Sequence, residues 1–267
     1  MAKLTSREAL HALRDELTLA RDANKPCVTV CSGTGCLAYR AGDVALAFEQ
    51  EIARRGLSGR VNVRRSGCHG FCERGPLVVI APLDVAYFRT KVEDVPEIVE
   101  RTLIAGEIVE HLLYQDPETG ERITRNEDIP FYKYQHRILL ASNPHIDPKN
   151  IYDYVAVGGY TALAKALAEM SPEDVVATVR KADLRGRGGG GFSAGRKWET
   201  TRTADGDIKY VVVNGDEGDP GAYMDRSLLE GNPHGVLEGL IIGAYAIGAH
   251  QGYIYVRQEY PLAVENA

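Results

Sequence analysis

The sequence has no long apolar run, and this absence argues against a membrane-spanning helix. Its longest strongly apolar stretch is LEGLIIGAYAIGA, which is shorter than the roughly 20 residues that a helix needs to cross a bilayer. The amino terminus, MAKLTSREALHALRDEL, also lacks the apolar segment of a secretion signal. We therefore expect a cytoplasmic protein without a direct membrane span.

The sequence also lacks an excess of positive charge, a repeat and a low-complexity tract. Its formal net charge is −6, and a nucleic-acid-binding protein would need a basic stripe instead. We expect no nucleic acid among its partners. With 267 residues, of which 44% are hydrophobic, the chain is long enough for two globular domains.

Cysteine is scarce, with five residues, but four of them form two close pairs, Cys31-SGTG-Cys36 and Cys68-HGF-Cys72. Paired thiolates on separate loops suit a Cys₄ [2Fe–2S] cluster, since each iron takes two sulfurs. Zinc accepts the same spacing, so spacing alone leaves both metals open. Disulfides are disfavoured because cytosolic thiols stay reduced.

The predicted scaffold around these cysteines alternates strands and helices. We predict strands over 27–31, 61–65, 77–80 and 85–88, an amphipathic helix over 41–55, and a helix from about 95 to 105. Both cysteine pairs then fall on loops at strand ends. Cys27 is interpreted as a small buried hydrophobe, and His69 as a partly exposed spacer that could otherwise tune a cluster through a hydrogen bond.

A glycine-rich loop in the second half satisfies G-x-G-x-x-G with Gly186, Gly188 and Gly191. A predicted helix precedes it, with Ser171 as N-cap and Pro172 at the first helical position, so it is not the strand-to-helix turn of a Rossmann fold. Four cations flank the loop, namely Arg185, Arg187, Arg196 and Lys197. Bare backbone N–H groups beside cations suit a phosphate, although a flexible hinge would also be rich in glycine.

An acidic loop follows the run Lys209 to Val213, which is predicted to be a short buried strand. Asn214, Asp216, Glu217 and Asp219 stand within six residues of one another. They could hold the hydroxyls of a ribityl or ribose chain at the carboxyl end of a strand. Mg²⁺ or Ca²⁺ is the competing ligand, and an ordinary acidic turn is the third interpretation.

These motifs resemble a known family. GRGGGGF, AGRKW, NGDEGDPGAYMDRSLLEGNPH and YPLAVE are similar to the NuoF-type (51 kDa-like) flavin-binding subunit of NADH-oxidising complexes. The form GDEGDPGA most resembles the diaphorase (beta) subunits of NAD-linked or electron-bifurcating hydrogenases and formate dehydrogenases. The cysteine pairs, set in a β-α-β-β-α pattern, resemble the thioredoxin-like [2Fe–2S] ferredoxin.

The resemblance implies cofactor-binding residues, and we expect no side chain to act as an acid or base. The glycine loop and Lys197 would hold FMN and its phosphate, residues 214–217 would contact the ribityl chain and ring, Phe192 would stack on the adenine of NAD(H), and Asp219 would lie near the nicotinamide. The full expected set is Gly186, Arg187, Gly188, Gly189, Phe192, Lys197, Asn214, Asp216, Glu217 and Asp219 for the nucleotides, and Cys31, Cys36, Cys68 and Cys72 for the [2Fe–2S] cluster.

The implied fold is α/β. A thioredoxin-like [2Fe–2S] ferredoxin domain (1–113) would be followed by an extended connector (114–154) and by the N-terminal part of an FMN/NADH-binding domain (155–267). In the family the connector packs along the flavin domain, so its aromatic residues are interpreted as anchors there. Resembling subunits continue past this point, and a [4Fe–4S] cluster is expected only in that further part.

The implied function is that of a diaphorase subunit, which would exchange electrons between NAD(P)H and iron–sulfur clusters through FMN. Its expected partners are a NuoE-like [2Fe–2S] subunit and the catalytic subunit of a hydrogenase or formate dehydrogenase. The alternative is a non-catalytic [2Fe–2S] electron-transfer or docking module with an incomplete, empty flavin domain. A Cys₄ zinc domain joined to a nucleotide-binding domain is the weaker third hypothesis.

Overall fold

The computed structural model describes residues 3–21 and 24–267. Within these residues no helix combines the length and apolarity needed to cross a bilayer. The strands are Cys27–Cys31 (β1), Asn62–Ser66 (β2), Val78–Ala81 (β3), Val85–Tyr87 (β4), Tyr114–Gln115 (β5), Arg122–Ile123 (β6), Tyr210–Gly215 (β7) and Gln251–Val256 (β8). The α-helices are Arg7–Ala20 (α1), Thr34–Ala38 (α2), Ala41–Arg54 (α3), Val95–Ile98 (α4), Pro130–Lys133 (α5), Ile151–Ala156 (α6), Thr161–Glu169 (α7), Pro172–Lys181 (α8), Ala194–Thr203 (α9), Met224–Gly231 (α10), Pro233–Ile247 (α11) and Pro261–Asn266 (α12).

Four strands of the N-terminal half form one sheet in the order β2-β1-β3-β4. β1 is parallel to β2 and antiparallel to β3, which is antiparallel to β4. The chain passes from β1 to β2 through α3, as parallel neighbours require. Val30, Phe48 and Leu77 are almost fully buried between this helix and the sheet. The predicted thioredoxin-like ferredoxin fold is confirmed, and the helix expected from 95 to 105 is present as α4 continued by a π-helical segment, Val99–Ile104.

The connector contains short elements and packs mainly on this first sheet. Phe131 stacks on Phe71, with ring centroids 4.3 Å apart, and Tyr132 meets the same ring edge-on. The aromatic residues of the connector do anchor it. The expected side was only partly right: Phe131 and Tyr132 pack against the core of the N-terminal half, whereas Tyr154 donates to Glu238 of α11 and stacks on His234.

The second sheet has two parallel strands, β7 and β8, in the register Tyr210↔Gln251 to Gly215↔Val256. Helix α11 crosses between them and packs on one face, where Leu240 lies under Gly252. The other face is open, and Val212 is 58% exposed there. The prediction of a buried strand at 209–213 was therefore wrong, because α11 covers only one side of the pair.

Helix α1 begins at Ser6, whose hydroxyl accepts from the Ala9 N–H. It packs on α6 and α7. Arg21 forms an ion pair with Asp153 at 2.6 Å. The first helix of the chain is thus joined to helices that come more than a hundred residues later.

Helix α10 meets the first sheet at a junction of two glycines. A Cβ built on Gly67, just after β2, would lie 2.4 Å from the Gly231 Cα at the end of α10. Asn143 completes the contact, since its carbonyl accepts from the Gly67 N–H and its side-chain amide donates to the Ser227 carbonyl. Backbones can approach this closely only because neither residue has a side chain.

We expect Gly231→Ala to destabilise the protein by about 1–3 kcal/mol through overpacking. Its new Cβ would lie 2.4 Å from the Asn143 amide nitrogen. The matched control is Gly239→Ala in α11, where a Cβ meets no atom within 4 Å; helix propensity alone should make it neutral or more stable, by up to about 1 kcal/mol. Urea unfolding followed by circular dichroism measures both, and equal changes in the free energy of unfolding would contradict the junction.

Candidate functional site

The four paired cysteines come together at one end of the first sheet. Cys31 is the last residue of β1, Cys36 lies in α2, Cys68 follows β2, and Cys72 begins a short 3₁₀ turn, Cys72–Arg74. The structure corrects the prediction that both pairs lie on loops, since Cys36 and Cys72 occupy helical turns. The Sγ atoms of Cys68 and Cys72 are 3.6 Å apart.

Three glycines leave room for these sulfurs. A Cβ on Gly75 would lie 2.7 Å from the Cys36 Sγ, and one on Gly35 would lie 3.0 Å from the Cys72 Sγ. A Cβ on Gly33 would lie 2.9 Å from the Cys68 Cβ. These three glycines are therefore required by the close approach of the cysteines.

The four thiols influence one another's protonation. Hydrogen bonds from Cys31 and Cys72 hold the pKa of Cys68 down, to about 2, and the Gly70 N–H also donates to its sulfur at 3.2 Å. A hydrogen bond from Cys31 likewise lowers the pKa of Cys36. The pKa values of the two donors, Cys31 and Cys72, are raised. Thiolates are therefore present beside thiols whose protons a metal could replace.

His69, which lies between two ligand candidates, and Cys27, which precedes all four, are both buried. His69 is 2% exposed, and its Nε2 lies 2.8 Å from the Ser66 Oγ. Its interpretation as a partly exposed spacer was wrong, because the fold encloses the side chain; this burial lowers its pKa to about 4. Cys27 is buried at the start of β1, as predicted.

The glycine-rich loop is a closed, exposed turn between α8 and α9. Helix α8 has the predicted Ser171 cap and Pro172 start. The Gly186 N–H donates to the Phe192 carbonyl at 2.9 Å and closes the loop. Gly189 and Gly191 have positive φ angles, whereas Gly188 has neither a positive φ nor an atom within 4 Å of a Cβ. The fold itself therefore gives no reason for glycine at 188, but a ligand that approaches the backbone would.

The cations of this loop are available to a ligand. Among the described residues, no carboxylate lies within ion-pair distance of Arg187, Arg196 or Lys197, and all three are exposed. Arg196 lies over the Phe192 ring, 5.9 Å from its centroid, and that ring is 52% exposed. The loop thus offers free positive charge and an open aromatic face.

The acidic loop at the end of β7 divides into two parts. Asn214, Asp216 and Asp219 are exposed, and the Asp216 N–H donates to the Asn214 side-chain oxygen at 3.1 Å. No three His, Cys, Asp or Glu side chains in the described ranges are grouped around a position for one metal ion. The exposed part of the loop is thus open to a polar ligand.

Glu217 differs from its neighbours because it is buried and its carboxylate oxygens already accept hydrogen bonds. Its carboxylate accepts from the backbone N–H groups of Met224, Asp225 and Arg226, at 2.7, 3.1 and 3.3 Å. These are free donors at the first turn of α10, where a negative charge also suits the helix dipole. Glu217 thus fastens the acidic loop to α10.

The glycine-rich and acidic loops are supported by the same helix. Trp198 of α9 and Val211 of β7 both lie over Gly243 of α11, at 3.3 and 3.7 Å from a Cβ built there. Because both elements rest on one helix, the two loops have a common rigid base. The structure does not bring the cysteine sulfurs into this loop pair; α10 stands between them.

Sequence reasoning missed two residues at the cysteine site. Glu230, in the last turn of α10, is 3% exposed and accepts hydrogen bonds from the Thr34 N–H and hydroxyl at 3.1 and 2.5 Å. Thr34 lies inside the motif Cys31-SGTG-Cys36. A glutamate near a helix end carries no signal of burial, so only the fold could reveal this contact.

Comparison with known proteins gives relatives for both halves. Over 134 residues the chain is 51% identical to the NADP-reducing hydrogenase subunit HndC of Solidesulfovibrio fructosivorans, covering 50% of this chain and 27% of that protein. Over 129 residues it is 50% identical to an NADH-quinone oxidoreductase subunit of Rhizobium meliloti (strain 1021), covering 48% of this chain and 31% of that protein. The chain therefore spans less than a third of the length of these curated relatives.

Among solved structures, the chain is similar to a thioredoxin-like [2Fe–2S] ferredoxin from Aquifex aeolicus. The identity is 31% and the TM-score 0.33, with 38% of this chain and all of the ferredoxin covered. The glycine-rich loop, the acidic loop and α10 fall within residues 179–267, which match the Nuo51 FMN-binding domain. The last third of the chain is thus similar to the Nuo51 FMN-binding domain family.

Proposed function

We propose that this chain is the flavin- and cluster-bearing part of an NADH-dehydrogenase-type subunit. It would exchange electrons between NAD(P)H and a [2Fe–2S] cluster through FMN. The relatives named above are subunits of an NADP-reducing hydrogenase and of an NADH-quinone oxidoreductase. A NuoE-like [2Fe–2S] subunit and the catalytic subunit of a hydrogenase or formate dehydrogenase are the partners that this assignment suggests.

One observation carries the proposal: a single short helix links the two sites. The first turn of α10 is capped by Glu217 from the acidic loop, and its last turn contacts the cysteine motif through Glu230. When bound, FMN accepts hydride and releases single electrons, and a [2Fe–2S] cluster carries one electron at a time. Sites that exchange electrons must be held at a fixed separation, and α10 provides that spacing.

The cysteine site fits a binuclear cluster. Cys68 and Cys72 form one adjacent pair, and the Cys31 thiol is hydrogen-bonded to Cys36 and to Cys68. Cys₄ [2Fe–2S] clusters require two thiolates for each iron. The proposed ligands are therefore Cys31, Cys36, Cys68 and Cys72, and the Gly70 N–H would continue to donate to the Cys68 sulfur.

The flavin site fits an anionic, hydroxyl-bearing ligand. The bare backbone at 186–189 with Arg187 and Lys197 would bind the FMN phosphate, because free cations beside unshielded N–H groups favour a dianion. Asn214 and Asp216 would accept from ribityl hydroxyls. Exposed Phe192 would stack on the adenine of NAD(P)H and Asp219 would lie near its nicotinamide, while Glu217 would hold the acidic loop in place.

The cluster assignment predicts iron content and its loss. Anaerobically purified chain should carry about two irons and two sulfides, with visible absorption that NADH or dithionite bleaches. Cys36→Ser should lose most of the iron, because an oxygen replaces one soft ligand. Iron, zinc and sulfide measured on one sample provide the readout.

The matched control for this experiment is Cys27→Ala. Cys27 is also buried, but it is outside the proposed ligand set, so this variant should keep its iron. Zinc in place of iron would reject the electron-transfer function. Iron without bound flavin would favour the docking-module alternative.

The flavin assignment predicts a phosphate-specific loss of affinity. Lys197→Ala should weaken FMN binding about tenfold to a hundredfold, because a charge-assisted contact contributes about 1.5–3 kcal/mol. Riboflavin, which has no phosphate, should lose almost nothing. Quenching of flavin fluorescence on titration with protein gives both dissociation constants.

Lys181→Ala is the control for charge. Lys181 is an exposed lysine at the end of α8, outside both loops, and its removal should leave FMN affinity unchanged. An equal loss for FMN and riboflavin in Lys197→Ala would place the phosphate elsewhere.

A further inference from the structure

Glu230 is a buried carboxylate that touches the cysteine motif. Its side chain is 2% exposed, and its two oxygens accept from the Thr34 N–H at 3.1 Å and from the Thr34 hydroxyl at 2.5 Å. A buried carboxylate is costly unless it is paired or hydrogen-bonded. The two hydrogen bonds from Thr34 offset that cost. They also hold in place the backbone segment between the ligand candidates Cys31 and Cys36.

Arg226 lies one turn earlier on the same helix. Its Nε is 3.9 Å from a Glu230 oxygen and has no hydrogen-bond partner among the described residues. Its guanidinium lies 3.9 Å from the centroid of the Tyr223 ring. Arg226 thus places the opposite charge beside the carboxylate that contacts the cysteine motif.

We propose that Glu230 and Arg226 are positioning residues that set the reduction potential of the cluster at the four cysteines, in opposite directions. This inference rests on the proposed function, because it requires the cluster. Neither residue would be a ligand. Glu230 would act through the Thr34 segment and its negative charge, and Arg226 through its positive charge beside Glu230.

The sign of each effect follows from charge. Reduction adds one electron to the cluster and makes it more negative. The Glu230 carboxylate opposes that change and lowers the potential, whereas the Arg226 guanidinium favours it and raises the potential. Both groups are largely removed from water, so screening by salt is weak for them.

Helix α10 also connects these two charges to the proposed flavin site. Glu217 caps the first turn of α10 through three backbone N–H groups, and Glu230 contacts the cysteine motif from its last turn. Gly67 and Gly231 in contact fix the helix end against the loop before Cys68. Glu217 and Glu230 thus join the acidic loop and the cysteine motif to opposite ends of one helix.

The test is a redox titration of the holoprotein followed by electron paramagnetic resonance. Glu230→Gln, which keeps hydrogen-bonding atoms but removes the charge, should raise the ratio of reduced to oxidised cluster at a fixed potential roughly tenfold, or about 59 mV for a one-electron couple. Arg226→Gln should lower the ratio by a similar factor, and Arg226→Lys should restore most of it. A general loosening of the packing would not shift the reduction potential in opposite directions in the two variants.

One control variant and two possible outcomes separate this inference from the proposed function. Glu265→Gln removes a charge of the same sign from an exposed site on α12, which packs on α10, and should barely change the potential. Suppose that every variant holds iron, but the reduction potentials of Glu230→Gln and Arg226→Gln shift in the same direction or not at all. The positioning role is then overturned, while the cluster assignment is kept. If the wild-type chain forms no [2Fe–2S] cluster, both the function and this inference fail.

Discussion

Backbone contact between Gly67 and Gly231 is the constraint on which the rest of the structure depends. This close approach of the two backbones allows Glu230 to reach Thr34. It also brings the last turn of α10, whose first turn is capped from the acidic loop, against the cysteine motif. A side chain on either glycine would separate the two halves and leave a buried carboxylate without its donors. The junction thus holds the two neighbouring folds together as one unit.

Local signals in the sequence predicted much of the fold. The β-branched run at 27–31 forms β1, and Ser171 with Pro172 begins α8, because alternation and capping depend on a few adjacent residues. The convergence of the four cysteines was also foreseeable, since strand ends on one side of a sheet meet. These features need no knowledge of distant partners.

The errors came from long-range packing. The strand at 210–215 is as apolar as a buried one, yet only one face is covered, and coverage is decided by α11. His69 stands in a short polar motif typical of the surface, yet it is buried, and Arg137 and His145, which come much later in the chain, are near enough to act on its charge. The hydrogen bonds from the N–H groups of α10 to Glu217 could likewise not be foreseen from its place in the acidic loop. Each outcome depends on which segment arrives nearby.

The uncovered face of the β7–β8 pair has a practical consequence. Tyr210, Val212, Tyr253 and Tyr255 are each about half exposed, and parallel strands are normally covered on both faces. In the part of the chain that the structure describes, the outer edges of this pair are unpaired as well. An apolar strip beside open strand edges promotes self-association. This face is therefore the place where a further strand or another protein surface would pack.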